Sequence, residues 1–187
     1  MGRWEPDARG RLARVALELY AERGYEQTTV GDIAERAGVT ERTYFRHFAD
    51  KREALFDGSA MLQTQLVDAI RDAPADLTPI EVVGDAFASA ATLLEDRGEH
   101  ARTRAGVIAA NPSLQERELY KMATLASAAS GALTGRGVPE PTAALAAAAG
   151  VAAFTAAFEA WVADPSSTNL PAAVRDKLDA LRAVTQG

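Results

Sequence analysis

The side chains best able to act on another molecule are gathered between Thr29 and Phe48. Two short apolar-periodic stretches meet there at Ala37-Gly38-Val39-Thr40. Gly38 permits a left-handed turn, Val39 fills the angle, and Thr40 is a good N-cap for the second stretch. That stretch reads Glu41-Arg42-Thr43-Tyr44-Phe45-Arg46-His47-Phe48. Tyr44 and Phe48 are four apart, so they share one helix face, and an aromatic face points to a core. Arg42, Thr43, Arg46 and His47 then lie on other faces. Two short helices around a glycine turn, with cations and hydroxyls facing outward from the second, make a helix-turn-helix. Such a second helix enters the DNA major groove, where an arginine can grip guanine O6 and N7 with two hydrogen bonds.

Other chemistry is poorly provided for. The 187 residues include no cysteine, which excludes disulfides, thiolate zinc sites and cysteine nucleophiles. His47 and His100 are the only histidines, so no metal site and no catalytic residue is expected. Neither Gly-x-Ser-x-Gly nor a phosphate loop occurs, and Gly135-Arg136-Gly137 follows a helical stretch, not the strand that a dinucleotide site requires. No cofactor is expected. The net charge of −6 looks wrong for a nucleic-acid binder, but its distribution is uneven. Residues 1–56 carry 10 of the 20 Lys/Arg and 10 of the 26 Asp/Glu, so the acidity belongs to the remainder. A neutral segment can still present one basic face. The start Met1-Gly2-Arg3-Trp4-Glu5-Pro6-Asp7 has no apolar leader core. No run matches the ~18 strongly apolar residues of a spanning helix, Thr142–Phe158 coming nearest. The expectation is a cytoplasmic protein with no membrane partner.

The elements that must position these residues all read as helix. Leu12, Val15, Ala16, Leu19 and Tyr20 give one apolar face, and Gly24 stops it. Thr29 with Asp32 resembles a capping box for a helix carrying Val30, Ile33, Ala34 and Ala37. Asp50-Lys51-Arg52-Glu53 predicts the start of a long fourth helix with Leu55, Leu62, Leu66 and Ile70, closed by Pro74. Thr78-Pro79-Ile80-Glu81 combines N-cap, N1 proline and N3 glutamate, and opens a fifth helix that Gly98 stops. Further helices are predicted to about Ala110, from Pro112 to about Leu133, from about Pro141 to Ala163, and over a last segment with Leu170, Val174, Leu178 and Leu181. The fold class is all-α with about nine helices. An N-terminal three-helix reader (residues 1–56, helix-turn-helix about 29–48) precedes a second helical domain (57–187).

The run from Ala16 and Tyr20 through Gly24-Tyr25-Glu26-Gln27-Thr28-Thr29 to Phe48, then Asp50-Lys51 and Glu53-Ala54-Leu55, resembles the DNA-binding domain of the TetR family of bacterial repressors. That resemblance implies a homodimeric repressor released from a palindromic double-stranded operator by a small apolar effector. It implies DNA contacts at Thr29, Thr40, Arg42, Thr43, Phe45, Arg46, His47 and Lys51, the last on phosphate. Phe45 departs from the family, which often has a phosphate-bonding tyrosine there. Arg9, Arg11 and Arg14 could flank the phosphates. A constitutive repressor without effector, a helical enzyme and a scaffold are the alternatives; only the first retains DNA binding.

For the second domain the resemblance implies a dimer interface on the last two helices, and the aromatic spacing Phe154, Phe158, Trp161, with Leu178, is the expected contact. It places the effector among the middle helices, with Met61, Phe87, Arg104, Val107 and Met122 as candidate linings and Arg104 suited to an anionic group. The segment Ala101–Glu118 resembles a subgroup of actinobacterial regulators that includes the mycofactocin-associated one. That likeness implies an acyl-CoA-like effector.

Overall fold

The computed structural model describes residues 7–186; the opening segment searched for a leader falls mostly outside them. The described residues form nine α-helices and no strand. The helices are α1 (Ala8–Arg23), α2 (Val30–Arg36), α3 (Glu41–His47), α4 (Ser59–Asp72), α5 (Pro79–Glu95), α6 (Gly98–Ala109), α7 (Pro112–Gly135), α8 (Glu140–Ala163) and α9 (Leu170–Gln186).

Two compact units result. The first runs to Ser59 and takes in Arg102–Glu116. Its core joins Leu12, Ala16, Leu19 and Tyr20 of α1 to Ile33, Tyr44, Phe48, Leu55 and Phe56. Val107, Ile108 and Leu114 complete it, although their place in the sequence suggests the second domain. The long helix expected from Asp50 is shorter than its cap suggests. The Asp50 carboxylate does accept from the Arg52 and Glu53 N–H groups (2.8 and 3.1 Å). What it opens is a single 3-10 turn, Glu53–Phe56, and α4 begins only at Ser59. Ala54, Leu55 and Phe56 are all buried, and three consecutive residues cannot share one side of an α-helix, so the chain tightens there.

The second unit comprises Ala60–Ala101 and the chain from Arg117 onward. Helices α5, α8 and α9 pack on one another at its centre. Gly150 of α8 allows the approach: a Cβ there would overlap Val83 and lie 2.7 Å from the Phe87 ring. The rings of Phe87 and Phe154 are 5.5 Å apart, Phe154 stacks on Phe158 at 6.2 Å, and Phe158 meets Trp161 at 5.9 Å. By length and composition α8 is apolar enough to cross a membrane, with a mean hydropathy of 1.6, contrary to the expectation for Thr142–Phe158. Much of that apolarity is alanine, and its inner side packs on α5 and α9. Gly98, expected to stop α5, is instead the first residue of α6. Gly135-Arg136-Gly137 closes the end of α4: the Arg136 guanidinium donates to the carbonyls of Arg71, Ala73 and Pro74 (2.9, 2.7 and 2.8 Å). Those carbonyls would otherwise lack a helical partner.

Candidate nucleic-acid interface

The reading helix α3 is held at both ends by local chemistry. Before it, Thr29 Oγ1 accepts from the Asp32 N–H (3.1 Å), and Asp32 Oδ2 accepts from the Thr29 N–H (2.8 Å), a complete capping box on α2. The Thr29 hydroxyl also donates to that carboxylate at 2.6 Å. These bonds hold the Asp32 carboxyl below the usual aspartate range. Helix α2 ends in a Schellman turn: Gly38 N–H donates to the Glu35 carbonyl (3.0 Å) and Val39 N–H to the Ala34 carbonyl (2.9 Å). Gly38 has φ +70°, which makes glycine the residue of choice. Thr40 Oγ1 then accepts from the Thr43 N–H at 3.2 Å and caps α3.

The inner face of α3 is fastened by tyrosines. Tyr44 and Phe48 are buried as the spacing predicts. The Tyr44 hydroxyl donates to the Asp50 carbonyl (3.2 Å), and that of Tyr20 to the Lys51 carbonyl (2.5 Å). Burial pushes both phenols well above their ordinary value, and pushes Tyr25 up to about 12, so all three stay protonated at physiological pH. From the other side, Lys51 Nζ donates to the carbonyls of Tyr25 and Thr28 (2.9 and 3.3 Å) and stands 4.2 Å over the Tyr25 ring. Two of its three ammonium protons are thus used within the unit. At the far end, Arg9 donates to the His47 carbonyl (3.0 Å), lies 4.8 Å over the Phe48 ring and pairs with Asp57. Nothing in the spacing of Arg9 announces this.

The outward residues differ among themselves. Thr29 and Thr40 are exposed, but their hydroxyls serve the caps, and the Thr43 hydroxyl pairs with that of Thr40 at 3.2 Å. His47 is half-buried, and its Nε2 is enclosed with no hydrogen-bond partner. Phe45, Arg42 and Arg46 are exposed. The charge pattern separates the last two from every other cation up to Ser59 among the described residues. Arg14 pairs with Glu18, Arg23 with Asp32, Arg36 with Glu22 and Arg52 with Asp50. Arg9 is committed as above, and Arg11 donates to the Ala37 carbonyl (3.0 Å). Arg42 and Arg46, one helical turn apart, have no partner within the described chain.

The expected effector residues are divided between the two units. Arg104 and Val107 belong to the first unit. There the Arg104 Nε donates to the Leu55 carbonyl (2.9 Å), with the guanidinium 4.9 Å from the Phe56 ring, and Val107 is buried. Phe87 is sealed in the second core, and Met122 packs half-buried against it. Met61 lies with Thr64, Gln65, Asp68 and Asp72 along one open, solvent-facing side of α4. The expected dimer contacts are turned inward too. Phe154, Trp161 and Leu178 are buried and Phe158 is half-buried, because their own core needs their volume. The outer surface of α8 carries Leu145, Ala148 and Ala152 instead, while Leu181 and Val184 are exposed near the end of α9. Among the described residues no cluster of acidic residues or histidines suited to a metal occurs.

Residues 12–57 match the family model for bacterial regulatory proteins of the tetR family, and residues 77–186 match the MftR C-terminal domain. The chain is 40% identical over 79 residues to the transcriptional regulator TcmR of Streptomyces glaucescens, a stretch covering 42% of this chain and 35% of that protein. It is 29% identical over 104 residues to a Mycobacterium tuberculosis protein assigned as the mycofactocin biosynthesis transcriptional regulator MftR, covering 56% and 52%. These matches thus span about a third to a half of the relatives' lengths. Two solved structures share the fold across nearly the whole chain. NalD of Pseudomonas aeruginosa, described as the secondary repressor of the MexAB-OprM multidrug efflux pump, superposes with TM-score 0.66 at 20% identity, covering 94% and 95%. The SmeT–triclosan complex gives TM-score 0.63 at 18% identity, covering 92% and 90%.

Proposed function

Because the chain belongs to the TetR family of bacterial regulatory proteins, whose members are DNA-binding transcriptional regulators and not enzymes, we propose that it represses transcription as a homodimer on a near-palindromic operator. The observation that carries this reading is the charge pattern of α3: among the described residues up to Ser59, seven cations are spent inside their own unit, and the two left over, Arg42 and Arg46, lie on one face of a helix capped and clamped to present it. An uncompensated arginine on such a face meets a phosphate or a guanine edge at no loss of an existing ion pair. Thr29, Thr40 and Thr43 position the backbone for phosphates, whereas Lys51, expected on a phosphate, is committed to the carbonyls of Tyr25 and Thr28. The two helices of a dimer would read half-sites about 34–36 Å apart, or a multiple of that.

The dimer forms through the outer surface of α8 and the exposed end of α9. The alanines Ala148 and Ala152 keep that face of α8 flat, and Leu145 on α8 and Leu181 and Val184 at the end of α9 are large exposed apolar side chains. The effector is a small, mostly apolar molecule received on the α4 side beside Met61. The resemblance of Ala101–Glu118 to the mycofactocin-associated regulators implies an acyl-CoA-like class. The carboxylates of Asp68 and Asp72 on that side of α4 would repel its phosphates, which therefore lie away from them. By linkage, an effector that weakens DNA binding must itself bind the DNA complex less tightly by the same factor.

Selection of the full chain against a random duplex library tests the reading. It should return a near-palindrome bound more weakly as salt rises. Failure to enrich any sequence contradicts it. Leu145→Arg should give monomers by sedimentation while circular dichroism still reports helix; an intact dimer moves the interface elsewhere.

A further inference from the structure

One side chain on the reading face serves neither a cap nor an ion pair. Phe45 is 53% exposed, and it is the only large apolar residue so exposed among the described residues of the first unit. Its ring is not loose: it stands edge-on to Tyr44, centroids 5.7 Å apart and planes at 83°. Phe45 lies three residues after Arg42 and one before Arg46. At 100° per residue the three side chains occupy an arc of about 100° on α3, with Arg42 inside the arc and Phe45 at its edge, beside the buried Phe48. An apolar ring thus borders the two uncompensated cations of the helix.

Phosphate oxygens ask for donors, and a phenyl ring has none. Most groups on base edges in the major groove are likewise hydrogen-bond donors or acceptors. The exception is the 5-methyl group of thymine. We propose that Phe45 is a specificity-determining residue that packs on a thymine methyl in each operator half-site. This rests on the DNA-binding reading above. Three helical residues advance about 4.5 Å along the axis, against about 3.4 Å per base step. The thymine therefore lies one or two base pairs from the base that Arg42 reads. Phe45 makes the operator distinguish A·T from G·C at a position where no hydrogen bond is made.

The test uses the full chain and the duplex recovered by selection from a random library. Each thymine of one half-site is replaced in turn by deoxyuridine, which removes the methyl and nothing else. One replacement should weaken binding about three- to fivefold, the value of burying one methyl-sized group. The same replacement should have no effect on Phe45→Ala and should keep its effect on Phe45→Leu, which restores an apolar contact. Both substitutions fall on an exposed site, and circular dichroism checks that the helices persist. If no replacement matters to the unaltered chain, or if the sensitive thymine stays equally sensitive in Phe45→Ala, the assignment of Phe45 is overturned while DNA binding stands. If selection enriches no sequence, the DNA-binding reading fails and this inference fails with it.

Discussion

The two units are stabilised by different means. The first is organised by directional polar contacts around a small aromatic core: a capping box at Thr29, a Schellman turn at Gly38, tyrosine hydroxyls on the carbonyls of Asp50 and Lys51, and Lys51 itself on the carbonyls of Tyr25 and Thr28. The second is organised by volume, with Gly150 and a seam of alanines bringing α8 onto α5 and four aromatic rings filling the space that remains. A reader of DNA must hold one helix face in a fixed attitude, and directional bonds do that. In the proposed function the second unit has no such need, and its close packing would leave its outer faces free for a partner and a ligand.

If this contrast is right, changes of volume should damage the second unit most. Phe87→Ala removes a fully buried ring and should destabilise the protein by about 3–5 kcal/mol in urea denaturation. A loss below ~1 kcal/mol would mean that the alanine seam relaxes around the gap. Gly150→Ala adds one carbon where Val83 and Phe87 already stand and should cost about 1–3 kcal/mol by the same measurement. Removal of a polar contact should instead act on the first unit. Thr40→Ala deletes the α3 cap and should cost about 0.5–2 kcal/mol. It should also weaken operator binding by more than its small stability loss explains.

The smallest effect sharpens the contrast from the other side, because each unit owns one capping box. Asp32 is held below its ordinary 3.8 chiefly by the hydrogen bond from the Thr29 hydroxyl, and Glu81 below 4.5 by that from Thr78. A carboxyl whose pKa is lowered by folding contributes stability that is present above its ordinary value. That contribution is lost as the pH falls through the lowered one. Both contributions should therefore fade on acidification below about pH 4–4.5, and the acid sensitivity should shrink in Asp32→Asn and Glu81→Gln. Thermal melts of the variants against the unaltered chain from pH 7 to 3 would show it. Equal acid sensitivity in all of them would place it in other carboxylates.

The same contrast explains what was legible in the sequence. Directional devices leave residue signatures, so the caps at Thr29, Thr40 and Thr78, the glycine turn, the inward Tyr44 and Phe48 and the outward Arg42 and Arg46 are all read from spacing. Volume leaves few. Helix α8 has alanine on every side, so nothing in its pattern says that Phe154 and Trp161 face α5 and α9 and that Leu145 does not. Lys51 turns inward because two carbonyls more than twenty residues away meet its ammonium. Arg104 and Val107 read as lining for the second domain, yet their segment is needed to finish the core of the first.

The central claim is that the cations which meet DNA are those left unpaired within the reading unit. It is tested most directly by equilibrium binding of the selected duplex across a range of salt concentrations, comparing Arg42→Ala and Arg46→Ala with Arg36→Ala, whose guanidinium pairs with Glu22 at 3.0 Å. Each α3 substitution should weaken binding by about 1–3 kcal/mol. It should either relax one base preference or flatten the salt slope by about one unit for each phosphate no longer met. Arg36→Ala should leave both affinity and slope nearly unchanged. Equal weakening in all three variants, or none in the two on α3, would contradict the account.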